Sequence, residues 1–191
     1  MQSIIKQEFS EHIKVSQDTL NSTTKAIEIA AKICINSLKT GGKILLIGNG
    51  GSAADAQHIA AELVGRYKTE RKGLPAIALT TDTSAITSIA NDYGYKKVFE
   101  RQVEAIANEG DVLIGISTGG SSKNIINAIL IANKIGCKTI GFSGRDGGEF
   151  NILCDVNIIV AAEDTARIQE MHILIGHTIC HLIESEFHQS S

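Results

Sequence analysis

Short apolar runs alternate with longer helical patterns along most of the chain. Five such runs extend from Lys43 to Gly48, Pro75 to Thr80, Asp111 to Thr118, Cys137 to Gly144 and Asp155 to Ala161. Nearly continuous apolar runs that are separated by helices are typical of a parallel sheet covered on both faces. The pattern therefore predicts an α/β fold, a three-layer α/β/α sandwich around a five-stranded parallel sheet.

Both ends of the chain show helical periodicity. Residues 2 to 40 predict a pair of N-terminal helices, which stops at Gly41 and Gly42. A last helix is predicted over roughly Thr165 to Glu186, and its main apolar stripe comprises Ile168, Met171, Ile175, Ile179 and Leu182. A second sector of that helix holds Gln169, Ile173, His177 and Cys180. Because a helix that is apolar on two sides is covered on two sides, we expect a neighbouring subunit there, and an active site shared between chains.

Length and charge limit the possible functions. With 191 residues, the chain is expected to form one domain, in which residues 1–40 serve oligomerisation and residues 41–191 form the α/β core. The net charge of −3 and the lack of a basic block argue against nucleic-acid binding.

The chain also lacks signs of export or membrane insertion. No apolar run is long enough to span a membrane, and the charged N-terminus is unlike a signal peptide, so we expect a cytoplasmic protein. The cysteines form no CxxC pair and are interpreted as reduced thiols in apolar surroundings. They are Cys34, Cys137, Cys154 and Cys180.

Two turns rich in glycine and serine follow the first and third predicted strands. They read GNGGS, residues 48–52, and STGGSS, residues 117–122. Their backbone N–H groups, their hydroxyls and the helix that follows each turn can hold a phosphate. Neither has the GK[ST] of a P-loop, and each alone is equally well an ordinary turn with a serine N-cap. Because both lie at the carboxyl end of one sheet, the pair favours a phosphate-bearing ligand.

Polar side chains on two predicted helices are candidates for chemistry. His58 and Glu62 are four residues apart and share a helix face, which alone indicates only a solvated pair. Gln169 and His177 on the last helix need polar partners if they are buried, either elsewhere in the core or at His58 and Glu62. The Asn91-Asp92 pair indicates either a helix end with an Asx turn or recognition of sugar hydroxyls.

Four segments of the chain together resemble a known family. The segments GNGGSAADAQHIAAEL, NDYG, GDVLIGISTGGSSKNI and TARIQEMHILIGH are closely similar to those of the sedoheptulose 7-phosphate isomerases, or phosphoheptose isomerases, which belong to the sugar isomerase (SIS) domain family. The resemblance covers essentially the whole chain. It implies a flavodoxin-like SIS fold and conversion of sedoheptulose 7-phosphate to D-glycero-D-manno-heptose 7-phosphate, the first step of heptose synthesis for lipopolysaccharide or capsule. It also implies a homotetramer with active sites at subunit interfaces.

The resemblance also assigns roles to residues. Glu62 and His177 match the catalytic base and acid. One exchangeable Zn²⁺ per subunit is expected, and its ligands match His58, Glu62, Gln169 and His177. The substrate contacts match Asn49, Gly50, Gly51, Ser52, Glu62, Asn91, Asp92, Ser117, Thr118, Gly119, Ser122 and Gln169. A metal bound to Glu62 would lower its basicity, so the roles of ligand and base compete.

The chain departs from the family pattern at two positions. Many relatives read STSGNS where this chain has STGGSS, so a hydroxyl is missing at Gly119. Some relatives have Asp at the position of Ala166. Two alternatives stay open: a non-catalytic SIS protein that binds the bacterial replication initiator, and a SIS isomerase of another sugar phosphate. The first is disfavoured because that branch lacks the residues that match Glu62 and His177.

Overall fold

The computed structural model describes residues 1–188 and contains a five-stranded, all-parallel sheet. Its strands are β1 (Ile44–Gly48), β2 (Ala76–Ala78), β3 (Val112–Ile116), β4 (Lys138–Gly144) and β5 (Val156–Val160). Their order across the sheet is β2-β1-β3-β4-β5. β1 pairs with β3 along its whole length, from Ile44 opposite Val112 to Gly48 opposite Ile116. The predicted sheet is confirmed, and the turns after β1 and β3 leave it side by side.

Helices cover both faces of this sheet. They are α1 (Gln2–Lys39), α2 (Gly51–Val64), α3 (Thr83–Tyr93), α4 (Val98–Ile106), α5 (Lys123–Ile135), α6 (Phe150–Leu153) and α7 (Thr165–His188). Alternate residues of β1 point to opposite faces: Ile44 and Leu46 join the core beneath α1, α2 and α7, whereas Leu45 and Ile47 join the core beneath α3, α4 and α5. The three-layer α/β/α architecture is therefore confirmed.

The predicted pair of N-terminal helices is wrong, because α1 is one continuous helix of 38 residues. The middle of α1 is rich in polar residues. Its hydroxyls bond back to carbonyls one turn earlier, as Thr23 Oγ1 does to Thr19 O at 2.6 Å and Thr24 Oγ1 to Leu20 O at 2.6 Å. Residues 2–39 also contain neither glycine nor proline, so nothing in the backbone stops the helix.

The last helix and the cysteines largely match their predictions. α7 begins at Thr165, and four members of its main apolar stripe are buried, whereas Leu182 is 42% exposed. All four cysteines are free, and Cys154 alone among them is only half-buried. Burial raises the pKa of the Cys34 thiol to about 12, so this thiol stays protonated at neutral pH. Among residues 1–188, no helix combines the length and apolar character that crossing a membrane requires.

Candidate active site

The structure brings His58, Glu62 and His177 together in one cluster. His58 and Glu62 lie one turn apart on α2, and His58 Nε2 is 3.1 Å from Glu62 Oε1. His177 reaches them from α7, where its Nε2 atom lies 2.9 Å from His58 Nε2. The prediction that His177 faces His58 and Glu62 is confirmed. All three residues belong to one chain, so the acid and the base meet without a second subunit, and an active site shared between chains stays a prediction.

A glycine lets α7 approach α2 at this point. A Cβ atom on Gly176 would lie only 2.4 Å from Cδ1 of Ile59, which is buried. Gly176 precedes His177, and Ile59 follows His58, so the close helix contact is adjacent to both imidazoles. Without a side chain at position 176 the backbones come close enough for the two rings to meet.

A loop after α2 covers the same histidine. The Tyr67 ring stacks on the His177 ring with a centroid separation of 5.4 Å and an interplanar angle of 27°. Buried Glu184 of α7 holds this loop, because its carboxylate accepts hydrogen bonds from the backbone N–H groups of Tyr67, Lys68 and Thr69 at 2.8–3.0 Å. Burial by itself raises the pKa of Glu184, but these backbone hydrogen bonds outweigh it and hold the pKa below its usual value. Glu184 therefore stays ionised and fixes the stack.

Asp55 adds a second carboxylate to this face of α2, one turn before His58. Its Oδ2 atom is buried and has no hydrogen-bond partner in the described part of the chain, residues 1–188. Burial raises the pKa of Asp55, and the charge of His58 only partly opposes this shift. Sequence analysis missed Asp55, since an aspartate on a helix surface is ordinarily solvated and carries no signal of its own.

An asparagine pair joins the first turn to the start of α5, the helix that follows the second turn. Asn49 Nδ2 donates to Asn124 Oδ1 at 3.0 Å, and Asn124 Nδ2 donates to Asn49 Oδ1 at 2.8 Å. Tyr95 Oη donates to the same Asn49 oxygen at 2.9 Å. In the second turn, the hydroxyls of Ser117 and Ser122 lie 3.2 Å apart. The expectation that both turns lie at one place is confirmed, but the roles of Asn124 and Tyr95 had no signal in the sequence.

Close packing shapes both turns. At Gly51, the first residue of α2, a Cβ atom would lie 2.6 Å from Gln169 Nε2, so the Gln169 amide lies against the start of that helix. Gly50 has φ +55° and Gly120 has φ +60°, a region that favours glycine. A Cβ atom on Gly120 would also lie 2.1 Å from the Gly147 carbonyl oxygen. These turns therefore need glycine for backbone reasons.

The remaining predicted substrate residues lie around these turns or apart from them. Ser52 and Ser117 are buried, while Thr118, Gly119 and Ser122 are half-buried. Asn91 and Asp92 are exposed on the last turn of α3, and Asn91 Nδ2 donates to Asp92 Oδ1 at 2.8 Å. Tyr95, just after α3, is the residue of this segment that contacts the first turn, so the sugar contacts of Asn91 and Asp92 stay a prediction.

The cluster on α2 and α7 has the composition of a metal site. Ligand atoms of His58, Glu62 and His177 all lie within 4.8 Å of one another. Two imidazoles and a carboxylate suit Zn²⁺. Gln169 lies beside Gly51, which precedes His58 by seven residues, or about 10 Å along the helix axis. Three of the four predicted ligands therefore fit a metal, and ligation by Gln169 stays a prediction.

Comparisons with known proteins agree with this geometry. The profile of the SIS domain matches residues 8–144. A phosphoheptose isomerase of Aliarcobacter butzleri is 61% identical to this chain and covers 97% of it and 98% of its own length. The solved structure of phosphoheptose isomerase GmhA from Neisseria gonorrhoeae matches with a TM-score of 0.91 and 45% identity, over 96% of this chain and 98% of that one.

A second solved structure extends this agreement to a more distant relative. A phosphoheptose isomerase from Francisella tularensis has a TM-score of 0.93 at 38% identity and covers 96% of this chain and 97% of its own. Similarity of this extent in both sequence and fold shows that the chain is an isomerase that belongs to the phosphoheptose isomerases of the SIS domain family.

Proposed function

We propose that the chain converts sedoheptulose 7-phosphate to D-glycero-D-manno-heptose 7-phosphate, the first step in making heptose for lipopolysaccharide or capsule. The observation that carries this proposal is the placement of two groups on α2: the turn at Ser52 and, six residues later, His58. Six residues of helix rise by about 9 Å. An extended chain advances roughly 1.2 Å per bond, so the seven bonds from C2 to the phosphorus span about 8 Å. A phosphate at Ser52 therefore puts C1 and C2 at the cluster.

The reaction moves a proton between neighbouring carbons through an enediol. Glu62 removes the proton from C1 of the ketose and returns it to C2, and His177 exchanges a proton with the carbonyl and hydroxyl oxygens. The Tyr67 stack and the Gly176 contact hold the His177 ring in place. Holding the phosphate at the far end orients the sugar and lowers the entropic part of the barrier.

We further propose that this site takes an exchangeable Zn²⁺, held by His58, Glu62 and His177. Three atoms with lone pairs converge there, with His58 Nε2 2.9 Å from His177 Nε2 and 3.1 Å from Glu62 Oε1. A proton or a cation between them relieves the repulsion of those lone pairs. When bound, Zn²⁺ would supply Lewis-acid polarisation of the sugar oxygens. Gln169 would join as a fourth ligand only if its amide left Gly51.

A homotetramer with active sites near subunit interfaces is proposed on the basis of exposed apolar surface. The first half of α1 exposes Ile4, Ile5, Phe9 and Ile13, each by more than half of its surface. A groove of about 500 Å³ between α1 and α7 is lined by apolar residues that include Leu20, Leu174 and Leu182. Leu174 and Leu182 flank His177 on α7, so a neighbouring chain in this groove would border the cluster. We place the assembled enzyme in the cytoplasm, where sugar phosphates are made.

One experiment distinguishes the proposed function from two alternatives, a non-catalytic SIS protein and an isomerase of another sugar phosphate. Purified protein is incubated with sedoheptulose 7-phosphate, and the aldose product is followed; sedoheptulose without phosphate and a six-carbon ketose 6-phosphate serve as controls. We expect turnover of the seven-carbon phosphate alone. Preference for the six-carbon phosphate would reassign the substrate, and lack of turnover with every sugar phosphate would support a binding protein.

A further inference from the structure

Arg145 stands out among the arginines because, within residues 1–188, it is not part of an ion pair. Within residues 1–188, the other four arginines each pair with a carboxylate; they are Arg66, Arg71, Arg101 and Arg167. Arg145 pairs with none, although acidic residues surround it in sequence. Its neighbour Asp146 accepts the backbone N–H of Gly148 instead, at 3.1 Å, and Asp164, near the anchors of the guanidinium in sequence, accepts that of Arg167 at 3.1 Å.

Arg145 is also held in an unfavourable backbone conformation. It directly follows β4 and has φ +57°, and it is the one residue other than glycine with positive φ in the described part of the chain. Arginine in this region is strained, and such strain is commonly found at functional sites. The conformation is maintained by the sheet edge, since Arg145 N donates to Ala162 O at 3.1 Å.

One side of the guanidinium is anchored and the other faces the second turn. Nε donates to Glu163 O and Nη2 to Thr165 Oγ1, each at 3.3 Å. Nη1 lies 3.5 Å from the position that a Cβ atom on Gly119 would occupy, and Ser121 Oγ lies 3.7 Å from the same position. Nη1 therefore points at the space left by the missing side chain of residue 119, where its N–H groups are available to a ligand.

The lysine next to the second turn is already paired with a carboxylate. Lys123, the first residue of α5, is engaged with Glu149, with Nζ 2.9 Å from Oε1. The turn itself offers hydroxyls and backbone N–H groups, which are neutral. A phosphate monoester carries nearly two negative charges at neutral pH, and an arginine adds charge-assisted hydrogen bonds to its oxygens.

We propose that Arg145 is a phosphate-binding residue that sets the specificity of this site for phosphomonoesters, with Nη1 donating to a phosphate oxygen at the second turn. This inference rests on the proposed function and adds a ligand to it. Gly119 leaves the room that the guanidinium needs, and Arg145 supplies the donor that a hydroxyl at position 119 would supply. The anchors to Glu163 and Thr165 hold the charge in place before the substrate arrives, which reduces the entropic cost of binding.

The test compares Arg145→Gln, Arg145→Gly and Arg145→Lys with Lys123→Gln, a control that removes a positive charge close to the same turn. For Arg145→Gln and Arg145→Gly we expect KM for sedoheptulose 7-phosphate to rise by about 10- to 100-fold with kcat within about threefold. Inhibition by inorganic phosphate should weaken by a similar factor. Arg145→Lys should recover part of the loss, because lysine keeps the charge but not the fork geometry. Lys123→Gln should change KM by less than about twofold.

Arg145→Gly tests whether weaker phosphate binding results merely from misfolding. Glycine adopts positive φ without strain, so this variant should melt at the wild-type temperature or higher and still bind phosphate poorly. Unchanged KM and phosphate inhibition in Arg145→Gln and Arg145→Gly would overturn the proposal, as would an equal loss in Lys123→Gln. If the wild type does not isomerise the sugar, the proposed function fails, whereas calorimetric titration with inorganic phosphate still decides the role of Arg145.

Discussion

The two halves of the candidate site, the glycine–serine turns and the His58–Glu62–His177 cluster, are built in different ways. The turns present backbone N–H groups and hydroxyls from short stretches of consecutive residues. The cluster instead joins side chains 119 residues apart in sequence, His58 and His177. The turns are consequently visible as motifs, whereas the cluster depends on how α7 packs on α2. We expect the cluster to govern the rate of the reaction and the turns to govern binding.

The sharpest test of this division is Glu62→Gln. The amide keeps the shape of the side chain but cannot accept the proton, so kcat should fall by about 10²- to 10⁴-fold. Binding of sedoheptulose 7-phosphate, measured by calorimetry, should stay within a few-fold of wild type. A variant that turns over at nearly the wild-type rate would remove Glu62 from the proton transfer.

Gly120→Ala should instead weaken substrate binding more than it slows the reaction. The methyl group would meet the Gly147 carbonyl at 2.1 Å on a backbone with φ +60°, which we expect to destabilise the fold by about 2–4 kcal/mol. KM should rise by about tenfold or more, with a smaller effect on kcat.

Gly41→Ala is the matched control for this change. Gly41 also has positive φ, +87°, but nothing lies within 4 Å of its Cβ position, so this variant reports the backbone cost alone. Thermal melts and Michaelis–Menten kinetics of both variants provide the comparison. Equal effects of the two substitutions would mean that the contact with Gly147 is unimportant.

Tyr67→Leu tests the packing around the cluster. An aromatic stack contributes about 0.5–1.5 kcal/mol, so kcat should fall by roughly 2- to 10-fold while KM changes little. A thermal melt distinguishes positioning from simple loss of stability, because a positioning role lowers kcat in a variant that is still fully folded at the assay temperature. Tyr67→Phe, which keeps the ring, is the control and should behave like wild type.

Mixing two inactive variants tests whether the cluster is confined to one chain. Because Glu62 and His177 meet within a single chain, subunit exchange between Glu62→Gln and His177→Ala should not restore activity. Mass spectrometry establishes that mixed oligomers have formed. Recovery of roughly a quarter of the sites would instead show that the two residues act across a two-chain interface.

The smallest expected effect is that of chelation on the fold. Three mixed ligands on the surface of two preformed helices suit an exchangeable metal, so a chelator should lower the melting temperature by about 10 °C or less and leave a cooperative transition. Parallel melts with and without a chelator are sufficient. Unfolding at room temperature on chelation would indicate a structural metal site.

Some parts of the fold and the site were predictable because their signals are local. The five strands follow from short apolar runs, of which β1 and β3 in the middle of the sheet are buried along their whole length. The turns follow from glycines that the backbone requires, as at Gly120. The prediction of two N-terminal helices was wrong, and hydroxyl-bearing residues in the middle of α1 are compatible with either a break or a continuous helix. In the structure they bond to the preceding turn. Local composition does not distinguish these two outcomes.

What the sequence by itself determined is the alternation of strands and helices, the two turns and the spacing of His58 and Glu62. Each depends on residues within a few positions of one another, so local sterics and periodicity decide it. Only the tertiary structure decided that His177 meets His58, that Glu184 fixes Tyr67 over it, and that Arg145 faces Gly119. These contacts join residues far apart in sequence, and packing of whole helices and strand ends against one another creates them.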